Sequence, residues 1–127
     1  MESSVKPAES SAQQPGTPAP ATAKELEVLR DRIVGVLRSI YDPEIPVNIY
    51  EIGLIYSVDI DPNTRAAKIR MTLTSPACPA AGTLPGEVED KTRRVQGITD
   101  VKVDVVWDPT WSPAMMSETA RLQLGML

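Results

Sequence analysis

The chain has 127 residues, a formal charge of -4, one cysteine, and neither histidine nor phenylalanine. That length gives one small domain plus whatever tail it carries, and the acidic balance argues against a nucleic-acid binder, which shows a basic patch. A Cys/His zinc site built from one chain needs three or four nitrogen or sulfur ligands, a Cys–His pair needs a histidine and an intramolecular disulfide needs a second cysteine, so all three are excluded. A lone cysteine suits a reducing compartment. No apolar run approaches the ~20 residues that span a bilayer. The N-terminus has neither a signal-peptide apolar core nor a transit peptide's arginines, so a cytoplasmic protein away from membranes is expected.

Residues 1–23 are rich in Pro, Ala, Ser and Gln, with Val5 as their only branched aliphatic. Such a segment buries too little apolar surface to offset its ordering entropy, and a disordered tail is expected there, with one α+β domain over 24–127. Thr22 with Glu25 three residues on reads as a capping box. Leu26, Leu29, Ile33, Val36, Leu37 and Ile40 then recur at helical spacing. Pro43 disfavours helical geometry at Asp42, which places the end of this helix near Tyr41. A loop with Pro43 and Pro46 leads to a strand in which Leu54, Tyr56, Val58 and Ile60 share one face. The turn Asp61-Pro62-Asn63-Thr64 joins it to a second strand, with Ala67, Ile69, Met71 and Leu73 on one face, to make an antiparallel hairpin. A weaker amphipathic helix (Leu84, Val88, Thr92, Val95) stops at Gly97, its C-terminal dipole complemented by Lys91, Arg93 and Arg94. Val101, Val103, Val105 and Trp107 make a third strand, and Ser112-Pro113 signals the start of a short terminal helix. The order α-β-β-α-β-α describes a two-layer α+β sandwich, a small mixed sheet with helices on one face.

The second strand runs directly into Thr72-Leu73-Thr74-Ser75-Pro76-Ala77-Cys78-Pro79-Ala80-Ala81-Gly82. Pro79 suits the first position of a helix, which would put Cys78 at the N-cap, where free N–H groups favour a thiolate. Pro85-Gly86 points to a main helix that begins only at Leu84, leaving a single turn behind the cysteine. Small neighbours leave room for a bulky group to approach the sulfur. The plainer alternative is a small buried hydrophobe at a strand–helix junction. Asp42 and Glu44, two carboxylates in a proline-stiffened loop, could bind a cation or adjust a nearby thiol. They could equally be a turn-initiating Asp and a solvated Glu. In an antiparallel hairpin the start of one strand lies beside the end of its neighbour, so Asp42, Glu44 and Cys78 should converge. Thr72 and Thr74 lie on the side of their strand opposite its apolar face and could hydrogen-bond a ligand beside Cys78, though threonine is also an ordinary strand residue. Trp107, Asp108 and Trp111 read as closing the core and a turn.

The runs DPEIPVNIYEIGLIY and TLTSPACPAAG, the strand exit V-x-V-x-V-V-W-D-P-x-W and the terminal MSETARLQLG together resemble the SufT-type, PaaD-like iron–sulfur cluster assembly proteins. The match covers about residues 25–126, in order. It implies an α+β fold and a role in the maturation or trafficking of iron–sulfur clusters. It also implies that Cys78 is the key functional residue, with Asp42, Glu44, Thr72 and Thr74 grouped near it. PaaD-type members carry a further cysteine-rich C-terminal segment; this sequence to Leu127 shows none, which favours the SufT-like branch.

Clusters are commonly held by four thiolates, so Cys78 alone cannot hold one stably. It can lend one ligand to a shared or transient site, and a non-enzymatic accessory factor with no tightly bound cofactor is expected. The partners implied are iron–sulfur scaffold or client proteins, or a second copy of the chain. Two other readings stay open: an enzyme with Cys78 as nucleophile and Asp42 or Glu44 as base, and an interaction module in which Cys78 is structural. The first suffers because carboxylates are weak bases toward a thiol unless burial raises their pKa.

Overall fold

The computed structural model describes residues 19–42, 45–75 and 82–126. The first helix, α1 (Ala23–Leu37), opens on the expected capping box: Thr22 Oγ1 accepts from the Glu25 N–H at 3.1 Å and Glu25 Oε1 from the Thr22 N–H at 2.9 Å. Leu29, Ile33 and Leu37 bury its apolar stripe. The helix stops short of Tyr41 because the chain beyond it is needed extended. The Ile40 carbonyl accepts from the Ile49 N–H at 2.8 Å, and Tyr41 bridges Asn48 in antiparallel fashion. Of the segment that composition alone assigns to the tail, residues 19–23 are described: Ala21 N–H donates to the Pro62 carbonyl at 2.7 Å, Ala19 O accepts from Arg65 at 3.2 Å, and Ala23 opens α1. The remainder of that segment, 1–18, lies outside the described residues.

Three strands follow, β1 (Ile55–Ile60), β2 (Ala66–Met71) and β3 (Asp100–Val105), with β2 in the middle. The β1–β2 hairpin is antiparallel, Ile60 facing Ala67 and Val58 facing Ile69, and β2–β3 is parallel. The parallel pair needs a crossover, which the helix Leu84–Arg93 supplies between them. Alternation is clear on β2, where Ala67, Ile69 and Met71 are buried and Lys68 and Arg70 exposed. On β1 it fails at one point. A bulge between Ile55 and Ser57 inserts an extra residue, so Ile55, opposite Met71, packs on the core and Tyr56 turns to the outer face instead of sharing a face with Val58.

Helix α3 (Leu84–Arg93) buries Leu84, Val88 and Thr92 and is laced by Glu87–Lys91, Glu89–Arg93 and Asp90–Arg94 pairs in the favourable acid-before-base order. It packs with α1 on the inner face of the sheet in one core that includes Ile33, Val88, Ile69 and Val101. Two details at the C-terminal end differ from expectation. Ser112-Pro113 opens a 3-10 turn, Pro113–Met115, and the terminal helix (Glu118–Gln123) starts later, where Ser117 Oγ accepts from the Ala120 N–H at 3.1 Å. Trp111, and not the exposed Trp107, packs on the core, its Nε1–H donating to Ile52 O at 3.0 Å. No helix among the described residues is long and apolar enough to cross a membrane.

Candidate functional site

An additional short helix, α2 (Ile49–Ile52), organises the end of the sheet where β1 begins and β2 ends. Asn48 caps it, its side chain accepting from the Glu51 N–H at 3.0 Å, and Gly53 ends it at φ 93°. The terminal helix, lying C-terminal to all of these, is α4. The signal for α2 was present in the sequence as Asn48, Glu51 and Gly53, an N-cap, an acidic first turn and a left-handed C-cap in six residues.

This helix is tied down from every side. Arg38 Nε lies 3.2 Å from Glu51 Oε2, and its guanidinium sits 5.0 Å from the centre of the Tyr50 ring. Ser117 Oγ donates to Glu51 Oε1, and the Ser117 N–H donates to Glu51 O at 2.9 Å. A Cβ on Gly53 would fall 2.3 Å from Met115 O, so only glycine lets the Met115 backbone come this close.

The same backbone links the sequence-predicted residues. Ile40 O accepts from Ile49, Ile49 O from Leu54 at 3.1 Å, and Leu54 O from Thr72 at 2.8 Å. The loop that starts at Asp42 and the exit of β2 are thereby joined through α2. Asp42 is 2% exposed and Thr72 0%. Asp42 O also accepts from the Ile45 N–H at 3.3 Å, which turns the loop back on itself, and Val47 is buried beneath it. Thr72 departs from the expectation of a polar side opposite an apolar one: Met71, Thr72 and Leu73 are all buried. Hydrogen bonds to Leu54 on one flank and from Val106 to Met71 O at 2.8 Å on the other hold this exit in the middle of the fold. Thr72 Oγ1 is a buried hydroxyl with no hydrogen-bond partner among the described residues. Thr74 is half-buried and Ser75 exposed.

Glu44 and Cys78 lie outside the described residues, as do the proposed cap at Cys78 and its Pro79 neighbour. The described helix α3 begins at Leu84, six residues past Cys78, with Thr83 making no side-chain cap bond. Its dipole therefore belongs to Thr83 and Leu84, and a cap at Cys78 would need a separate turn. Among the described residues no group of three His, Cys, Asp or Glu side chains could hold a metal ion.

A family model described as iron–sulfur cluster assembly protein matches residues 30–105 of this chain. The chain is similar to a Porphyromonas gingivalis protein named Fe-S protein maturation auxiliary factor, 48% identical over 95 residues that cover 75% of this chain and 90% of that one. It is 34% identical over 87 residues to the Staphylococcus aureus Fe-S protein maturation auxiliary factor SufT, covering 68% of this chain and 98% of the relative. A crystal structure of a domain of unknown function, DUF59, from Bacillus anthracis superposes with a TM-score of 0.72 at 36% identity, over 80% of this chain and 95% of the other.

Proposed function

This chain belongs to the iron–sulfur cluster assembly protein family, and we propose that it is an accessory factor in cluster maturation that lends the Cys78 thiolate as one shared, transient ligand. The cluster is cargo in this reading. A single thiolate cannot close the coordination of a cluster usually held by four, so the remaining ligands come from a scaffold or client protein, or from a second copy of the chain. Weak, open ligation suits hand-over, since a closed set of ligands would retain the cluster.

The observation that carries the reading is the buried, unpartnered Thr72 hydroxyl on the strand that leads to Cys78. An orphaned donor of this kind costs about 1–3 kcal/mol, and a ligand bound at the β2 exit would supply the acceptor that Thr72 lacks. A thiolate or a cluster sulfide is such an acceptor, and hydrogen bonds to sulfur tune how strongly a cluster is held. Asp42, equally buried, opens the loop joined to this exit.

The test is anaerobic transfer of a reconstituted [4Fe–4S] cluster to an apo-dehydratase, with client activity as readout. Cys78→Ser should abolish the stimulation given by the parent protein while leaving the thermal unfolding midpoint unchanged. Iodoacetamide should alkylate Cys78 in the folded protein. A thiol that reacts only after denaturation, or a serine variant that stimulates transfer fully, would return Cys78 to core packing and leave a cluster-independent interaction module.

A further inference from the structure

On the outer face of the sheet, at the same end as Thr72, lies a groove of about 510 Å³ walled by Gly53, Ile55, Tyr56, Pro109 and Met115, with Arg70 at its side. Its walls are held by the protein itself. Tyr56 Oη donates to Pro109 O at 2.7 Å, and Gly53 fits against the Met115 backbone. The phenol is thereby committed, and the ring, not the hydroxyl, is what the groove offers.

Arg70 is the anomaly. The other seven arginines of the chain each hold a carboxylate or a backbone carbonyl, whether at strand edges (Arg30, Arg93), between elements (Arg32, Arg38, Arg65) or on helices (Arg94, Arg121). Arg70 makes no hydrogen bond, ion pair or ring contact with any described residue, although its neighbours on the same face, Lys68 and Asp104, pair at 3.5 Å. In a chain with four more acids than bases an exposed arginine left without a carboxylate stands out. A guanidinium beside apolar walls fits a carboxylate that arrives with apolar neighbours: the planar fork takes the carboxylate in bidentate fashion, and the wall of the Tyr56 ring, Pro109 and Met115 takes the rest.

We infer that this groove docks a short acidic-apolar peptide segment of a partner protein, one Asp or Glu seated on Arg70 and its flanking apolar side chains on the Tyr56 ring, Pro109 and Met115. The volume exceeds what a lone carboxylate fills, and an exposed ion pair by itself contributes little, so binding needs both parts. A preformed groove lowers the ordering cost of such a contact. Arg70 precedes Thr72 by two residues, so a partner held here would sit beside the candidate site; that this partner is an iron–sulfur protein rests on the function proposed above, while the groove's preference for acidic peptides does not.

The experiment is a nuclear magnetic resonance titration of the full chain with a panel of amide-capped pentapeptides in which one Asp or Glu is flanked by Leu, Val or Phe, together with their Asn and Gln counterparts. Acidic members should shift the amide resonances of Gly53, Ile55, Tyr56 and Met115. Arg70→Gln should weaken binding about three- to fivefold, with Arg70→Lys recovering part of it. Cys78→Ser should bind as the parent does, so failure of the groove and failure of the cluster role are read separately. The inference is overturned if no acidic peptide shifts these resonances, if the amide counterparts or Arg70→Gln bind equally well, or if acetate alone reproduces the shifts, which would make the groove a small-anion site only.

Discussion

Replacing Thr72 with valine separates the needs of the fold from the needs of the site. Thr72 is 0% exposed and its Oγ1 has no partner among the described residues, while valine keeps the β-branch that suits the chain here. Exchanging the hydroxyl for a methyl removes a desolvation penalty of about 1–3 kcal/mol, so Thr72→Val should be more stable than the parent. At about 4 °C per kcal/mol for a domain of this size, thermal or guanidinium unfolding of the cluster-free protein resolves the gain easily. The same substitution should slow cluster transfer if the hydroxyl serves the cargo. Thr92 provides the control, because it too is 0% exposed with an unpartnered Oγ1 but lies in α3, packed in the core. Thr92→Val should give a similar stability gain and no change in transfer. A Thr72→Val protein destabilised by more than about 1 kcal/mol would mean that the hydroxyl is satisfied in the folded protein, and the argument from an orphaned donor would fall.

Gly53→Ala should destabilise by about 3 kcal/mol or more, since φ 93° is strained for alanine and the new methyl would meet Met115 O at 2.3 Å; chemical denaturation measures it, and a loss under 1 kcal/mol would show that the α2–Met115 contact is soft. At the other end of the fold, the Arg93 hydrogen bond holds the Asp100 carboxyl below the usual aspartate range. A lowered folded-state pKa gives stability that is full above the unfolded value near 3.9 and is lost as pH falls through the folded value. Arg93→Gln should therefore flatten the acid limb of stability below about pH 4, a small and salt-sensitive change because the pair is exposed; an unchanged limb would show that the pair contributes nothing.

Much of the fold is legible in the sequence because its signals are local. The capping box at Thr22 and Glu25, the period of α1, the Asp61–Thr64 turn and the alternation on β2 each depend on a few neighbouring residues. The failures are places where a distant partner decides. Tyr56 is turned outward because Pro109, 53 residues away, takes its hydroxyl and a bulge accommodates the change. The first helix ends early because Ile49 claims the Ile40 carbonyl, and Pro113 yields only a 3-10 turn before Ser117 caps α4. At the site, the sequence marks Asp42 and Thr72 as polar residues flanking a hairpin, but both are buried, and α2 and the post-β3 segment close by hydrogen bonds onto that end. Local pattern carries no measure of such closure.

The surroundings of the β2 exit bear on the function proposed above. In that proposal a cluster bound partly through one thiolate would find its other ligands on a second molecule, which needs a surface on which that molecule can sit. Tyr41 and Trp107 are 55% and 43% exposed, whereas Tyr50, Tyr56 and Trp111 are at least partly buried. Each exposed ring is adjacent in sequence to a fixed point of the scaffold: Tyr41 follows Ile40, bonded to Ile49, and Trp107 follows Val106, bonded to Met71. Large aromatics exposed on a rigid backbone are the usual anchors of protein interfaces, since they bury much area for little lost side-chain freedom. Tyr41 beside Asp42 and Trp107 beside the bond that holds the β2 exit therefore each offer an anchor for a second molecule; if the function proposed above holds, such anchors and the Arg70 groove would hold the partner while the thiolate holds the cluster only for as long as the partner stays.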